Sequence, residues 1–160
     1  MKKSIITLIS LIGLVFSGCQ KENITATDTP GTFGTPNGNV DTPLWSVDTN
    51  YDYSSSMTAV VEVVLTLSYP QAANNWHVDS SDIVAAFCGD KCVGVAKPSP
   101  YLFFVYITAP KVGNTEPITL RYYSSILKNI FYSDVVFPFC NGGQQGTVNQ
   151  PLRPLFRTEE

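Results

Sequence analysis

Cys88 and Cys92, with three residues between them, are the residues in this sequence whose types and spacing most resemble a metal-binding or redox site. A zinc site could use such a spacing with Cys140 and His77 as further ligands. No second close pair of ligands and no His-x-x-x-His motif accompanies the two cysteines, however. The sequence therefore predicts no metal site and no cofactor.

A β-hairpin explains the proximity of the two cysteines without chemistry. If the apolar runs on either side of Gly89 and Asp90 pair as strands, the turn alone brings the cysteines together. An export signal, described below, places the protein in an oxidising compartment, which favours a disulfide or buried thiols. Cys140 can reach either hairpin cysteine through tertiary folding. We predict one disulfide, with Cys88 and Cys140 as a candidate pair, and all three cysteines as buried thiols as the alternative.

Two acids near the hairpin, Asp79 and Asp82, are the next candidates for chemistry. They flank Ser80 and Ser81 in a segment typical of a turn, where Asp and Ser side chains cap backbone N–H groups. His77 is the only histidine, and no serine in a nucleophile-elbow motif accompanies it. We therefore predict no catalytic residue and no enzymatic activity.

The elements that must position these residues are β-strands. Residues 57–68 alternate between an apolar face and a mixed face, which is typical of a half-buried strand. Five further segments are rich in Val, Ile, Phe, Tyr and Thr and are separated by polar or breaker-rich stretches; they are 83–87, 92–96, 101–109, 117–123 and 130–137. This pattern predicts an all-β chain that forms one immunoglobulin-like antiparallel β-sandwich.

The N-terminus has the pattern of a lipoprotein signal. Lys2 and Lys3 precede an apolar run, residues 5–16, that ends in small residues before Cys19. The run is too short for a stable membrane-spanning helix and fits a cleaved signal peptide over residues 1–18. The stretch FSGC resembles the lipobox of bacterial lipoproteins, so we predict that Cys19 is acylated and anchors the protein to a membrane.

Composition divides the mature chain into a tether and a domain. Residues 19–43 contain almost no large apolar side chain and predict a flexible tether. Residues 44–157 are enough for one domain with a single core. Cleavage removes two of the ten basic side chains and leaves eight against thirteen acidic ones. The net charge of about −5 and the scattered basic residues argue against a nucleic-acid partner.

Several motifs of the folded part resemble a β-sandwich domain of secreted and lipid-anchored Bacteroidetes proteins. They are LWSVDTNYDYSSSMTAVVEVVL, DSSDIVAAFCGDKCVGVAKP, LFFVYIT, ITLRYYSS and GTVNQPLRPL. By that resemblance Cys92 occupies the family's cysteine position, whereas Cys88 departs from the pattern, in which Val or Ile is common. The resemblance implies a sandwich fold and an envelope location, and no activity carries over residue by residue.

The aromatic residues are the remaining candidates for function. Aromatic side chains on both faces of the strands predict that some are exposed, and exposed rings can bind a sugar face or a protein. We choose Trp76, Tyr101 and Tyr123 as ligand contacts; in the alternative for Trp76, its ring closes one end of the core. The sequence thus predicts a non-catalytic recognition or adhesion module in the cell envelope, on the outer membrane and facing the periplasm or the surface. The alternative is a glycan-processing accessory protein with carbohydrate binding or weak hydrolase activity.

Overall fold

The computed structural model describes residues 39–47, 55–65, 76–108 and 117–158. Within these residues the chain forms ten β-strands and no helix. The strands are β1 (Ser56–Glu62), β2 (Val64–Leu65), β3 (Ile83–Cys88), β4 (Lys91–Ala96), β5 (Pro98–Ser99), β6 (Leu102–Thr108), β7 (Ile118–Ser124), β8 (Asn129–Phe137), β9 (Gln144–Gln145) and β10 (Leu155–Arg157).

Two sheets pack face to face, which confirms the predicted all-β sandwich. The four-stranded sheet has the order β5-β6-β1-β9, and the six-stranded sheet has the order β2-β10-β8-β7-β3-β4. Most neighbouring strands are antiparallel, but β1 pairs with β9 and β2 pairs with β10 in parallel. The sheets are therefore mixed rather than purely antiparallel, and the immunoglobulin-like topology stays a prediction.

The first long strand passes from one sheet to the other. Met57, Ala59 and Val61 of β1 point into the core between the sheets, as the alternation predicts. After Val63, which is also buried in the core, the chain continues as β2 in the six-stranded sheet. One segment of sequence thereby contributes to both sheets and fixes their relative position.

The C-terminal segment follows this strand in parallel and joins it to both sheets. The Leu152 N–H donates to the Val60 carbonyl at 2.8 Å, and the Glu62 N–H donates to the Leu152 carbonyl at 2.9 Å. The side chain of Arg153 forms an ion pair with Glu62, with Nη2 and Oε2 2.9 Å apart. The parallel pairs arise because the segment after β8 runs alongside β1 and β2 in the same direction.

The predicted hairpin is present, but it contains a bulge. Gly89 has a positive φ of 58° in the turn, as a tight hairpin connection requires. Ala86 pairs with Gly94 and Phe87 pairs with Cys92, so Val93 is the extra residue on β4. A bulge changes the face on which the following side chains lie. Cys92 consequently shares the outer face with Phe87 instead of following Gly94 towards the core.

The segment 39–47 lies against the outer side of the six-stranded sheet. The Val40 N–H donates to the Lys128 carbonyl at 2.9 Å. The Tyr123 hydroxyl donates to the Val40 carbonyl at 3.3 Å. Trp45 contacts Phe87 edge to face, with ring centroids 5.7 Å apart. Contacts with the sandwich therefore begin before the predicted domain boundary at residue 44.

The strands β4 and β6 approach each other closely where the two sheets meet. A Cβ atom at Gly94 would lie 2.6 Å from the Tyr106 carbonyl oxygen and 3.1 Å from Cγ1 of Val105. The Thr108 hydroxyl donates to the Val93 carbonyl at 3.1 Å across the same junction. The absence of a side chain at Gly94 thus permits the contact that closes this side of the sandwich.

We predict that Gly94→Ala lowers the free energy of unfolding by about 1–3 kcal/mol, because the added methyl group would force β4 away from the Tyr106 backbone. Chemical denaturation of the purified variant measures this loss. Ser99→Ala, at an exposed position of β5, serves as the control and should change stability by less than about 0.5 kcal/mol. Equal stability of the Gly94 variant and the wild type would contradict the close approach of the two strands.

Candidate functional site

Asp82 is a fully buried carboxylate that joins three parts of the sandwich. Its Oδ2 accepts a hydrogen bond from the Tyr122 hydroxyl at 2.5 Å and from the Asp79 N–H at 3.0 Å. Its Oδ1 accepts from the Ser125 N–H at 2.7 Å and from the Ser125 hydroxyl at 2.8 Å. All four donors belong to the protein, so the carboxylate acts as an internal acceptor that positions the turn after β7.

Asp79 caps the turn that leads into β3, as the sequence predicts for the two acids. Its Oδ1 accepts from the Ser81 N–H at 2.8 Å and from the Ser125 hydroxyl at 3.2 Å. The backbone hydrogen bond from Ser81 holds the pKa of Asp79 below its ordinary value, against the opposing effect of burial. Asp79 and Asp82 thus both serve as acceptors for backbone N–H groups of the protein.

The buried hydroxyl of Tyr122 completes this network. Burial raises the pKa of Tyr122 well above the ordinary value, and the hydrogen bond to Asp82 and the charge of Asp82 act in the same direction. The hydroxyl therefore stays a donor to Asp82. The Tyr122 ring lies among Phe103, Phe131 and Phe156, with centroids 5.6–6.1 Å away.

The cysteines do not form the predicted pair. Cys140 is disulfide-bonded, whereas Cys88 and Cys92 carry thiols. The prediction of a Cys88–Cys140 disulfide is therefore wrong. Cys88 packs in the core of the sandwich, while the turn after Cys140 is bonded to β1 of the other sheet through Gly142 and Ser56, with the N–H and carbonyl oxygen 2.7 Å apart.

The hairpin thiols have the properties of packing residues rather than of a redox or metal site. Cys92 lies on the outer face and Cys88 in the core, so the bulge separates the two side chains. Burial raises the pKa of the Cys92 thiol, which reduces its thiolate fraction and its reactivity. Among the residues that the structure describes, no group of three or more His, Cys, Asp or Glu side chains could hold a metal ion.

Trp76 packs against the end of the core. Its ring meets Tyr122 edge to face, with centroids 6.5 Å apart, and the side chain is partly buried. The indole N–H is buried and has no hydrogen-bond partner. It lies near the Tyr122 hydroxyl and slightly lowers the pKa of Tyr122, against the larger effect of burial. This packing matches the alternative in which Trp76 closes the core. Its role as a ligand contact stays a prediction.

The two predicted tyrosine contacts differ in exposure. Tyr101 is 58% exposed in the turn directly before β6 and is available to a ligand. Tyr123 is fully buried, because Val40 and Thr42 of the N-terminal segment cover its hydroxyl. The choice of Tyr123 as an exposed ligand contact is therefore wrong, and the reason is a contact with a segment that the sequence assigned to the tether.

The aromatic side chains that sequence reasoning missed are Phe104 and Tyr106. They are 49% and 57% exposed on the outer face of β6, while Phe103, Val105 and Ile107 point into the core. Alternation along LFFVYIT carries this signal in the sequence. Since side chains two residues apart on a strand are separated by roughly 7 Å, the two rings form a small aromatic surface. We call Phe104 and Tyr106 the aromatic face.

Neutral polar groups border the aromatic face. Tyr106 pairs across the strands with Thr58, and Thr58 pairs with Gln144, so an exposed hydroxyl and an exposed amide continue the row. Gln144 donates through Nε2 to the Gly146 carbonyl at 2.9 Å, which keeps its amide oxygen as an acceptor. The face therefore combines aromatic rings with uncharged hydrogen-bonding groups.

No family model, no curated protein and no solved structure matches this chain. The part of the chain that the structure describes has no helix of the length and apolar character needed to cross a membrane. Cys19 and the rest of the predicted signal lie outside the described residues.

We predict that Asp82→Ala lowers the free energy of unfolding by about 3 kcal/mol or more, since a buried donor without an acceptor costs about 1–3 kcal/mol. The substitution would leave two donors, the Tyr122 hydroxyl and the Ser125 N–H, without their acceptor. Denaturant titration gives the value, with Asp90→Ala in the exposed hairpin turn as the control. A loss below about 1 kcal/mol would show that the network does not hold these elements together.

Proposed function

We propose that this protein is a non-catalytic recognition or adhesion module of a bacterial cell envelope. The observation that carries the proposal is the aromatic face, Phe104 and Tyr106, which the core does not use. The strand that bears it pairs with β1 over seven residue pairs, from Ser56–Thr108 to Glu62–Leu102. The rings are consequently presented on a rigid element, which reduces the entropy lost when a ligand binds.

A glycan is the ligand class that this face suits best. Aromatic rings can stack against the apolar face of a sugar, and neighbouring polar groups can bond to its hydroxyls. Thr58 and Gln144 supply such groups beside Tyr106. A protein ligand would use the same rings as a hot spot and is the other outcome that a binding screen distinguishes.

The hydrolase alternative receives less support from the acids near the hairpin. A glycosidase requires two carboxyl groups that face each other across a cleft, about 5–10 Å apart. Asp79 and Asp82 instead accept hydrogen bonds from two turns of the protein itself, at Ser81 and at Ser125. We therefore favour binding without turnover.

We predict that Phe104→Ala and Tyr106→Ala each weaken binding at least about tenfold, or ~1.4 kcal/mol, because each removes a ring from the contact surface. The full-length protein in mild detergent is first screened on glycan and envelope or host-protein arrays, and the affinity of each variant is then measured for the strongest ligand. Both variants should melt within about 2 °C of the wild type, as is usual for surface substitutions in a domain of this size.

Val136→Ala is the matched control, because Val136 is an exposed apolar residue on the six-stranded sheet. It should bind like the wild type. Unchanged affinity in both aromatic variants would contradict the assignment of the face, and turnover of a bound glycan would contradict the non-catalytic function.

The second part of the proposal is a lipid anchor at Cys19 that holds the protein to the outer membrane. It rests on the FSGC motif and the preceding apolar run.

We predict that wild-type protein expressed in a bacterial host incorporates a fatty-acid analogue and that Cys19→Ser abolishes the labelling, since the thioether requires that sulfur. Cys92→Ser is the control and should label like the wild type. Labelling that persists in the Cys19 variant would contradict the anchor. So would intact-mass analysis that finds the wild-type protein unacylated.

A further inference from the structure

An ion pair lies beside the aromatic face on the four-stranded sheet. Val61 points into the core, so its neighbour Glu62, which pairs with Arg153, lies on the outer face. Val60 is the cross-strand partner of Phe104, and Glu62 follows Val60 two residues later on the same face. Such diagonal neighbours have Cβ atoms about 7–8 Å apart, which is within the reach of an aromatic ring and a long side chain. The ion pair therefore continues the surface beyond Phe104.

Arg153 places two of its donors on a single carboxylate oxygen of Glu62. Its Nε lies 3.0 Å and its Nη2 lies 2.9 Å from Oε2. The other oxygen, Oε1, accepts no hydrogen bond within the described residues and is accessible at the surface. Nη1 of Arg153 likewise has no acceptor among these residues, and 64% of this side chain is exposed. An acceptor and a donor thus lie side by side and are open to a ligand.

The ion pair contributes little to holding the fold together. It joins β1 to the C-terminal segment, but the backbone hydrogen bonds of Leu152 with Val60 and Glu62 already make this connection. An exposed ion pair adds little stability, because water competes for both groups. An arginine and a carboxylate frequently pair through two oxygens. The arrangement on one oxygen instead leaves part of each group for another partner.

We infer that this ion pair and the aromatic face together bind an uncharged hexose unit through two of its adjacent hydroxyl groups. Because a hydroxyl both donates and accepts, one hydroxyl donates to Oε1 of Glu62 while its neighbour accepts from Nη1 of Arg153. The charged partners strengthen both hydrogen bonds, and the Phe104 ring stacks against the apolar face of the sugar.

The balance of charge selects the class of sugar. Glu62 and Arg153 neutralise each other, and the groups beside Tyr106 are uncharged, so the surface complements a neutral ligand better than a uronic acid or an amino sugar. The inference rests on the proposed function and deepens it, since it names the ligand class and the residues that recognise its hydroxyl groups.

The test uses the ¹⁵N-labelled full-length protein in mild detergent, with the methyl glycosides of glucose, galactose and mannose as probes. Titration with at least one of them should shift the Nε–Hε signal of Arg153 and leave that of Arg121, on the other sheet, unchanged. The fully O-methylated form of the same sugar should bind at least about tenfold more weakly, because its ether oxygens cannot donate to Glu62. Glucuronate should bind no more tightly than the methyl glycoside.

Variants of the pair separate recognition from general charge, with binding followed through the backbone amide signals of β1. Glu62→Gln and Arg153→Gln should each weaken binding at least about tenfold, because each replaces a charged hydrogen-bonding group by a neutral one. Arg153→Lys should also weaken binding, because lysine keeps the charge but lacks the planar row of donors.

Asp90→Asn and Lys128→Gln are the matched controls, since they remove the same charges at exposed turns of the six-stranded sheet. Both should bind like the wild type. The variants of the pair should melt within about 4 °C of the wild type, as is expected when an exposed ion pair is removed.

An unchanged Arg153 signal with all three glycosides would overturn the inference, as would equal binding of the O-methylated sugar or tighter binding of glucuronate. Wild-type affinity in Glu62→Gln or Arg153→Gln would overturn it even if Phe104→Ala abolishes binding, and the proposed function would then stand on the aromatic face alone. Weakened binding in the variants of the pair, with wild-type affinity in Phe104→Ala and Tyr106→Ala, would instead contradict the proposed function and the stacking that the inference takes from it.

Discussion

The buried carboxylate of Asp82 is the interaction on which the arrangement of this sandwich depends. It lies where β3 begins and where β7 turns into β8, and it accepts hydrogen bonds from both places as well as from the core tyrosine Tyr122. A buried polar group is stabilising only when it is fully hydrogen-bonded, and this network satisfies its members within the protein. The strand β3, which carries Cys88, and the strand β7, which carries Arg121, are thereby fixed at one end.

A second constraint comes from the segment that forms β1 in one sheet and β2 in the other. Because β1 and β2 belong to different sheets and the segment around Leu152 pairs with their junction, the two layers cannot slide past each other without breaking these bonds. Gly94 allows β4 to approach β6 at the other side. The outer face of the four-stranded sheet is consequently a rigid surface, and we propose that the molecule uses it for binding.

Sequence patterns were sufficient for the local elements. Alternation predicted a strand over residues 57–68, whose described part forms β1 and β2, and a hairpin around Gly89, because both depend on neighbours in the chain. The capping role of Asp79 also followed from local chemistry. The burial of Asp82 did not, because it depends on Tyr122 and Ser125, which lie 40 and 43 positions further along the chain.

The predictions that were wrong depended on strand register or on contacts between distant segments, which local sequence patterns do not contain. The bulge at Val93 moved Cys92 to the outer face, and simple alternation cannot detect an extra residue. Tyr123 is buried by Val40, in a segment whose composition indicated a tether. The pairing of Glu62 with Arg153 is visible only once the path of the C-terminal segment along β1 is known. The aromatic face was detectable from the alternation in β6, but exposure could not be distinguished from coverage by another element.

The central claim is that Asp82 joins β3 and the turn after β7 into one cooperative unit. Native-state hydrogen exchange at the Ser125 amide tests this claim most directly. This amide donates to Oδ1 of Asp82 at 2.7 Å. The account predicts that its exchange requires the same opening free energy as the central amides of β3 and β7, so that it opens only on global unfolding. Exchange through a local opening of much lower free energy, with β3 and β7 still protected, would contradict it.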